Sequence, residues 1–203
     1  MWQSRLSEFQ QLLIAWLVLG FCFSVSRIFN LNFPLIFISS LIAVGTGFIG
    51  HELAHKFVAQ RYGWKAGFRL WPKGLLFALV IALISGGRLI FAAPGAVYLV
   101  PLSIGYSPSQ SKREFGIVSL SGPLMNLVFV SIFLALNRIS DFSILSTISF
   151  YGFFVNLFLA AFNMIPFPPL DGTKIFAWNK LIWALLAIPT WLALVYVFTT
   201  FPF

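Results

Sequence analysis

The chain has 203 residues, of which 60% are hydrophobic and only 9% charged, with a mean hydropathy of +0.94. Soluble domains carry about 25% charged residues, so an ordinary soluble protein is excluded. The formal charge of +8 comes from basic residues set between apolar runs rather than gathered in one patch, which fits cationic flanks of membrane helices and excludes a nucleic-acid partner.

The first ten residues carry Arg5 and Glu8 ahead of a long apolar stretch. No small-residue cleavage site of the Ala-x-Ala kind follows, so they lead into an uncleaved membrane helix rather than a secretory signal. A span needs about 20 largely apolar residues, which predicts membrane helices over Gln11–Phe29, Pro34–Gln60, Phe115–Leu136 and Ile144–Met164. A fifth, Leu181–Phe201, tolerates Pro189 through a kink. The lone cysteine, Cys22, excludes an internal disulfide and reads as a packing residue in an apolar run.

Between the second and third spans, residues 75–105 hold two short apolar pieces, Leu75–Ser85 and Leu89–Val100. They are split by Gly86-Gly87-Arg88 and broken again at Pro94-Gly95. A single crossing here makes six spans and divides the basic residues almost evenly between the two faces. If the region instead enters and leaves on one face, every basic residue but Arg27 and Arg138 shares the side of the N-terminus, the asymmetry expected of a cytoplasmic face. The glycine-punctuated pieces then predict a membrane-associated β-hairpin or re-entrant segment, with a pair of full spans as the competing arrangement. Irregular backbone at membrane depth is tolerated only where protein buries it or where it lines a wet cavity, which puts this segment beside any functional cavity. The predicted fold class is an all-α polytopic membrane protein of about five to six transmembrane helices. It forms one membrane-embedded domain over 1–203, with a core of about 34–172 and accessory helices at 11–29 and 181–201.

Both histidines fall in one motif, His51-Glu52-Leu53-Ala54-His55, near the end of the second span. Residues four apart on a helix share a face with Cβ atoms about 5–6 Å apart, so His51 and His55 can grip one metal ion. Glu52 is turned beside them, where it can take a proton from a water. At about 1.5 Å per residue from Pro34, His51 lies far across the span, close to the face marked by Lys56 and Arg61. Catalytic zinc takes three protein ligands and keeps one position open. With no further histidine, the candidates for the third ligand are Cys22 and the remaining acids. Glu8 and Asp141 stand in polar flanks, and Glu114 beside Lys112 and Arg113 reads as a solvated interfacial charge. Asp171 remains, at the end of an apolar stretch broken by Pro166, Pro168 and Pro169, where a carboxylate calls for a cation. Two nitrogens and a carboxylate with an open site favour zinc over iron or cobalt. A metal-ion transporter or binding protein would also set such groups in membrane helices and is the alternative to a peptidase. Transport, however, needs a path of sites, and this chain has one cluster.

Three motifs, in this order, resemble the site-2 protease family of intramembrane zinc metalloproteases. They are His51-Glu52-Leu53-Ala54-His55, Ser121-Gly122-Pro123-Leu124-Met125-Asn126, and the Asn- and Pro-rich segment from Asn163 to Gly172 that ends in Leu170-Asp171-Gly172. The resemblance covers roughly Pro34 to Gly172. It implies one zinc per chain on His51, His55 and Asp171, Glu52 as general base and later acid, and Asn163 holding the substrate backbone or polarising the scissile carbonyl. It also implies that Leu75–Val100 is the family's membrane-associated hairpin, offering a strand edge to an unwound substrate. The implied activity is hydrolysis of peptide bonds within or near transmembrane helices of other proteins, in the cell membrane, with the active site toward the cytoplasm. Transmembrane substrates and the lipid bilayer are thus the expected partners; substrate identity, trigger and oligomeric state stay open, and no PDZ or CBS domain is inserted. Asn126 reads either as a partner of the metal ligands or as a helix–helix contact beside Gly122. A membrane enzyme of the prenyl-protein protease kind would use a glutamate as third ligand, for which Glu114 is the one plausible choice.

Overall fold

The computed structural model describes residues 6–101, 108–139 and 143–200. Arg5, Asp141 and residues 102–107, the far end of the expected hairpin region, lie outside them.

Helix α1 (Glu8–Ser24) starts from a capping box. Ser7 Oγ accepts from the Gln10 N–H while the Gln10 side chain accepts from the Ser7 N–H, so two end donors are satisfied reciprocally. A 3₁₀ turn, Val25–Arg27, finishes it. Helix α2 (Phe33–Val44) has Pro34 in its first turn, where a missing N–H loses no helical bond. It runs through one π-helical turn, Gly45–Ile49, into α3 (Gly50–Arg61), so that Phe33–Arg61 forms a single span. Strand β1 (Trp64–Leu70), helix α4 (Pro72–Ile84) and strand β2 (Gly95–Pro101) follow. The remaining elements are α5 (Pro108–Ile139), α6 (Ser143–Asn163), the short α7 (Asp171–Trp178) and α8 (Lys180–Thr200).

Among the described residues five helices are long and apolar enough to cross a membrane: Glu8–Arg27, Phe33–Arg61, Lys112–Ile139, Ile144–Asn163 and Lys180–Thr200. These match the five expected spans to within a few residues, and the fold is the all-α polytopic class with a small hairpin. The main apolar core gathers Leu19 of α1, Val44 of α2 and Val155, Leu157 and Leu159 of α6. Helix α8 is pinned to the end of α6 by two indoles. Trp183 and Trp191 donate their Nε1–H groups to the carbonyls of Met164 and Ala161, which have lost their helical partners.

The region between α3 and α5 leaves and returns on one side, as the charge pattern predicts, but its parts differ from expectation. The paired strands are β1 and β2, antiparallel with Phe68 opposite Val97 and Trp64 opposite Pro101. The first apolar piece, Leu75–Ser85, is helix rather than strand. It follows Pro72 at the first helical position and is rich in Leu and Ala, both strong helix formers. With 13 residues α4 extends about 20 Å, short of the roughly 30 Å hydrocarbon core. Its far end turns at Gly86 and Gly87, both at positive φ, and comes back without helix to β2. That turn overturns one expectation. Arg88 does not share the side of the other basic residues, because it lines a cavity of about 560 Å³ together with Arg27.

Candidate metal centre

Helix α3 presents His51, Glu52 and His55, all buried, toward α5 and α7. His51 Nε2, His55 Nε2 and Asp171 Oδ2 form a nearly equilateral triangle with sides of 3.0, 2.9 and 3.1 Å. Among the described residues this is the group of three or more metal-binding side chains that could hold an ion.

The hydrogen bonds behind the rings decide what the triangle wants. His51 Nδ1 lies 2.6 Å from Asn126 Oδ1, and His55 Nδ1 lies 2.7 Å from the Val118 carbonyl. Asn126 is oriented unambiguously, since its Nδ2 donates to the Gly47 carbonyl at 2.7 Å and to Asn156 Oδ1 at 3.2 Å. Both Nδ1 atoms therefore face acceptors, and each neutral ring carries its single proton there. Both Nε2 atoms are left with lone pairs aimed at a carboxylate oxygen. Asp171 Oδ2 lies 2.9 Å from His55 Nε2 and 3.1 Å from His51 Nε2, within reach of both lone pairs. Three acceptors without a proton among them need a cation. A tetrahedral zinc with bonds of about 2.0–2.1 Å sets its ligand atoms about 3.3 Å apart, close to the spacing found. The residues present fit the ion.

Each donor is placed by a recognisable local device. The π turn Gly45–Ile49 frees the Gly47 carbonyl toward Asn126, and Thr46 Oγ1 accepts from Asn156 Nδ2 at 3.1 Å. Gly122 lies directly beneath the two imidazoles; a Cβ there would collide with His55 and His51. One turn further along α5, Asn126 reaches His51. The chain reverses after α6 because Pro166, Pro168 and Pro169 cannot continue a helix. Asp171 then opens α7, and Gly172 packs against the Met164 and Ile165 carbonyls too closely for any side chain.

A cavity of about 60 Å³ opens beside the triangle, lined by Glu52, Asn163, Lys174, Ser119 and residues 92–97. Glu52 has one carboxylate oxygen, Oε2, buried without a partner, and the backbone of Val97 in β2 lies against its carboxylate. Lys174 Nζ stands 3.5 Å from Asp171 Oδ1. Asn163 lines the cavity with its Nδ2 donating to the Leu159 carbonyl one turn back.

A protein of Methanocaldococcus jannaschii named "Putative zinc metalloprotease MJ0611" is 43% identical to this chain over 184 residues, 90% of each chain. The chain belongs to this zinc metalloprotease family. Two bacterial proteins with names of the same form are more distant. "Putative zinc metalloprotease YwhC" of Bacillus subtilis is 30% identical over 66% of each chain. "Putative zinc metalloprotease Rip2" of Mycolicibacterium smegmatis is 31% identical over 68% of this chain and 58% of its own. No protein-family model matches the chain, and no solved structure matches it significantly. Zinc is the metal that agrees with both the relatives and the donor set.

The structure brings His51, Glu52, His55, Asp171 and Asn163 to one cavity. Asn126, which the sequence left between two roles, bonds His51 directly. Glu114 is not a solvated charge: it is buried at the start of α5, accepts from Trp64 Nε1 at 3.0 Å, and stands outside the metal-binding group. Glu8 is not merely a polar flank either, since it pairs with Lys56. Lys174 and Asn156 were missed. For Lys174 the signal was available, three residues after Asp171 on a helix that begins there.

Proposed function

We propose that this protein is an intramembrane zinc endopeptidase of the site-2 protease kind, cutting peptide bonds within or near transmembrane helices of other membrane proteins. The observation that carries the reading is the proton-free triangle of His51, His55 and Asp171, with Glu52 beside it, inside a bundle of membrane-length helices. When bound, zinc supplies Lewis-acid charge that lowers the pKa of a water and polarises a carbonyl. Glu52 is the group placed to take a proton from that water and return it to the leaving amine. Asn163 and Lys174 face the same cavity and can donate to the oxygen on which charge develops. A transmembrane helix hides its carbonyls in its own hydrogen bonds, so a substrate must unwind locally. The outer edge of β2, at Gly95–Val97, lines the cavity and offers an extended segment backbone partners. The clustering of basic residues supports a cell-membrane orientation with the N-terminus and the hairpin toward the cytoplasm.

The test is cleavage of a model transmembrane substrate by the purified protein in detergent, with zinc content measured alongside. Glu52→Gln should keep one zinc and lose cleavage by about 10²–10⁴-fold, the range for a general base. Metal flux into liposomes that persists in Glu52→Gln, with cleavage by neither form, would replace the peptidase reading with transport.

A further inference from the structure

A two-stranded sheet has two open edges, and each is a template for another strand. Here they differ. In an antiparallel pair successive N–H groups point alternately toward and away from the partner. On β1 the outward groups include Phe68 and Leu70. The Phe68 N–H donates to Glu8 Oε1 at 3.0 Å and the Leu70 N–H to Gln11 Oε1 at 2.9 Å. Both acceptors are held in place. Glu8 receives Lys56 Nζ on both oxygens at 2.9 Å, and buried Gln11 donates its Nε2–H to the Leu6 carbonyl at 3.0 Å. The outward edge of β2 has no strand partner among the described residues and runs along the catalytic cavity.

The contacts close into a ring. Glu52 lies against Val97; Val97 is opposite Phe68 across the hairpin; Phe68 is held by Glu8, and Glu8 by Lys56. Lys56 is on α3, one helical turn after Glu52. The hairpin is thus fastened at two points to the helix that carries the general base.

We propose that Glu8, with Gln11, is a positioning residue for substrate. It closes the β1 edge to strand addition and fixes the height of the β2 edge against Glu52, so that one peptide bond of an extended substrate segment meets the base. The first helix is then part of the substrate-reading apparatus rather than an accessory. This rests on the peptidase reading above.

The experiment uses the full chain in detergent, with a single-pass model substrate whose products are mapped by mass spectrometry, and backbone hydrogen exchange across β1. Glu8→Leu should keep its zinc, raise KM more than it lowers kcat, and spread cleavage to bonds about two residues away, since a slip of two preserves the side-chain faces. Exchange at Phe68 should quicken about tenfold, as expected for losing a bond to a charged acceptor. Glu8→Gln retains a carbonyl acceptor and should keep one cleavage position and slow exchange even where the ion pair is lost. A single cleavage position and wild-type KM in Glu8→Leu would overturn the inference. So would Glu8→Gln behaving like Glu8→Leu, which would leave only the charge pair at work. Failure of the wild type to cleave would instead overturn the peptidase reading, and the exchange result at Phe68 would still report whether Glu8 holds the strand.

Discussion

Replacing Asn126 by leucine tests the metal centre without touching a ligand. The residue is fully buried, and leucine matches its branching and number of side-chain heavy atoms, although its methyl groups are bulkier than the amide. The change removes the acceptor of the His51 Nδ1 proton and both donors that Asn126 sends to Gly47 and Asn156. His51 then has no fixed tautomer, and its Nε2 lone pair is no longer aimed. Loss of such an orienting partner typically weakens metal binding 10- to 100-fold, or about 1.4–2.7 kcal/mol. The orphaned Gly47 carbonyl and His51 N–H should each cost about 1–3 kcal/mol of stability. Zinc affinity is read by competition with a chromophoric chelator at fixed pH, and stability by thermal unfolding of the metal-free protein. Asn126→Asp serves as the control: it keeps an acceptor for His51 and should hold zinc far better than leucine while losing the bond to Gly47. A zinc Kd for Asn126→Leu within about twofold of wild type would refute the claim that this amide orients the ligand.

Asp171→Asn should leave two histidines with a neutral third donor and reduce bound zinc well below one per chain after dialysis, as measured by metal analysis; full retention would remove Asp171 from the ligand set. Gly122→Ala sets a methyl group against both imidazoles, and the strain of overpacking, about 1–3 kcal/mol, should appear as a lower unfolding temperature and weaker zinc binding together. Lys174→Met should keep zinc and lower turnover about 10²–10³-fold, the scale of losing one donor to a developing charge; unchanged kcat would confine Lys174 to its contact with Asp171.

The group of three side chains that could hold a metal was legible because the chain has two histidines and few acids, so elimination in an apolar context left Asp171 alone. The five spans were legible from run length. What failed was the short apolar segment. Leu75–Ser85 is as consistent with a strand as with a helix by hydrophobicity, and only Pro72 and the leucines and alanines favour the helix. β1 was hidden because Trp64–Leu70 mixes Lys65 and Arg69 with apolar residues and contains Gly67. Glu114 misled for a different reason: its charged neighbours suggested water, whereas the tertiary fold brings Trp64 to it from β1. Asn156 carried no signal, since one asparagine in a long apolar helix does not announce which partner it meets.

The π turn at Gly45–Ile49 has a consequence for how the second span keeps time with its surroundings. An α-helix advances about 100° per residue, and the extra residue in that turn resets the count between Val44 and Gly50. The half of the span before it answers to its contacts with α1 and α6. The half after it answers to Asp171, Gly122 and Asn126. Winding of the same residues as an unbroken α-helix would swing His51, Glu52 and His55 together by about 100° relative to Ser39, Ser40 and Val44. The turn works as a phase joint, letting one continuous helix pack as a lipid-matched strut at one end and be clocked to a metal at the other.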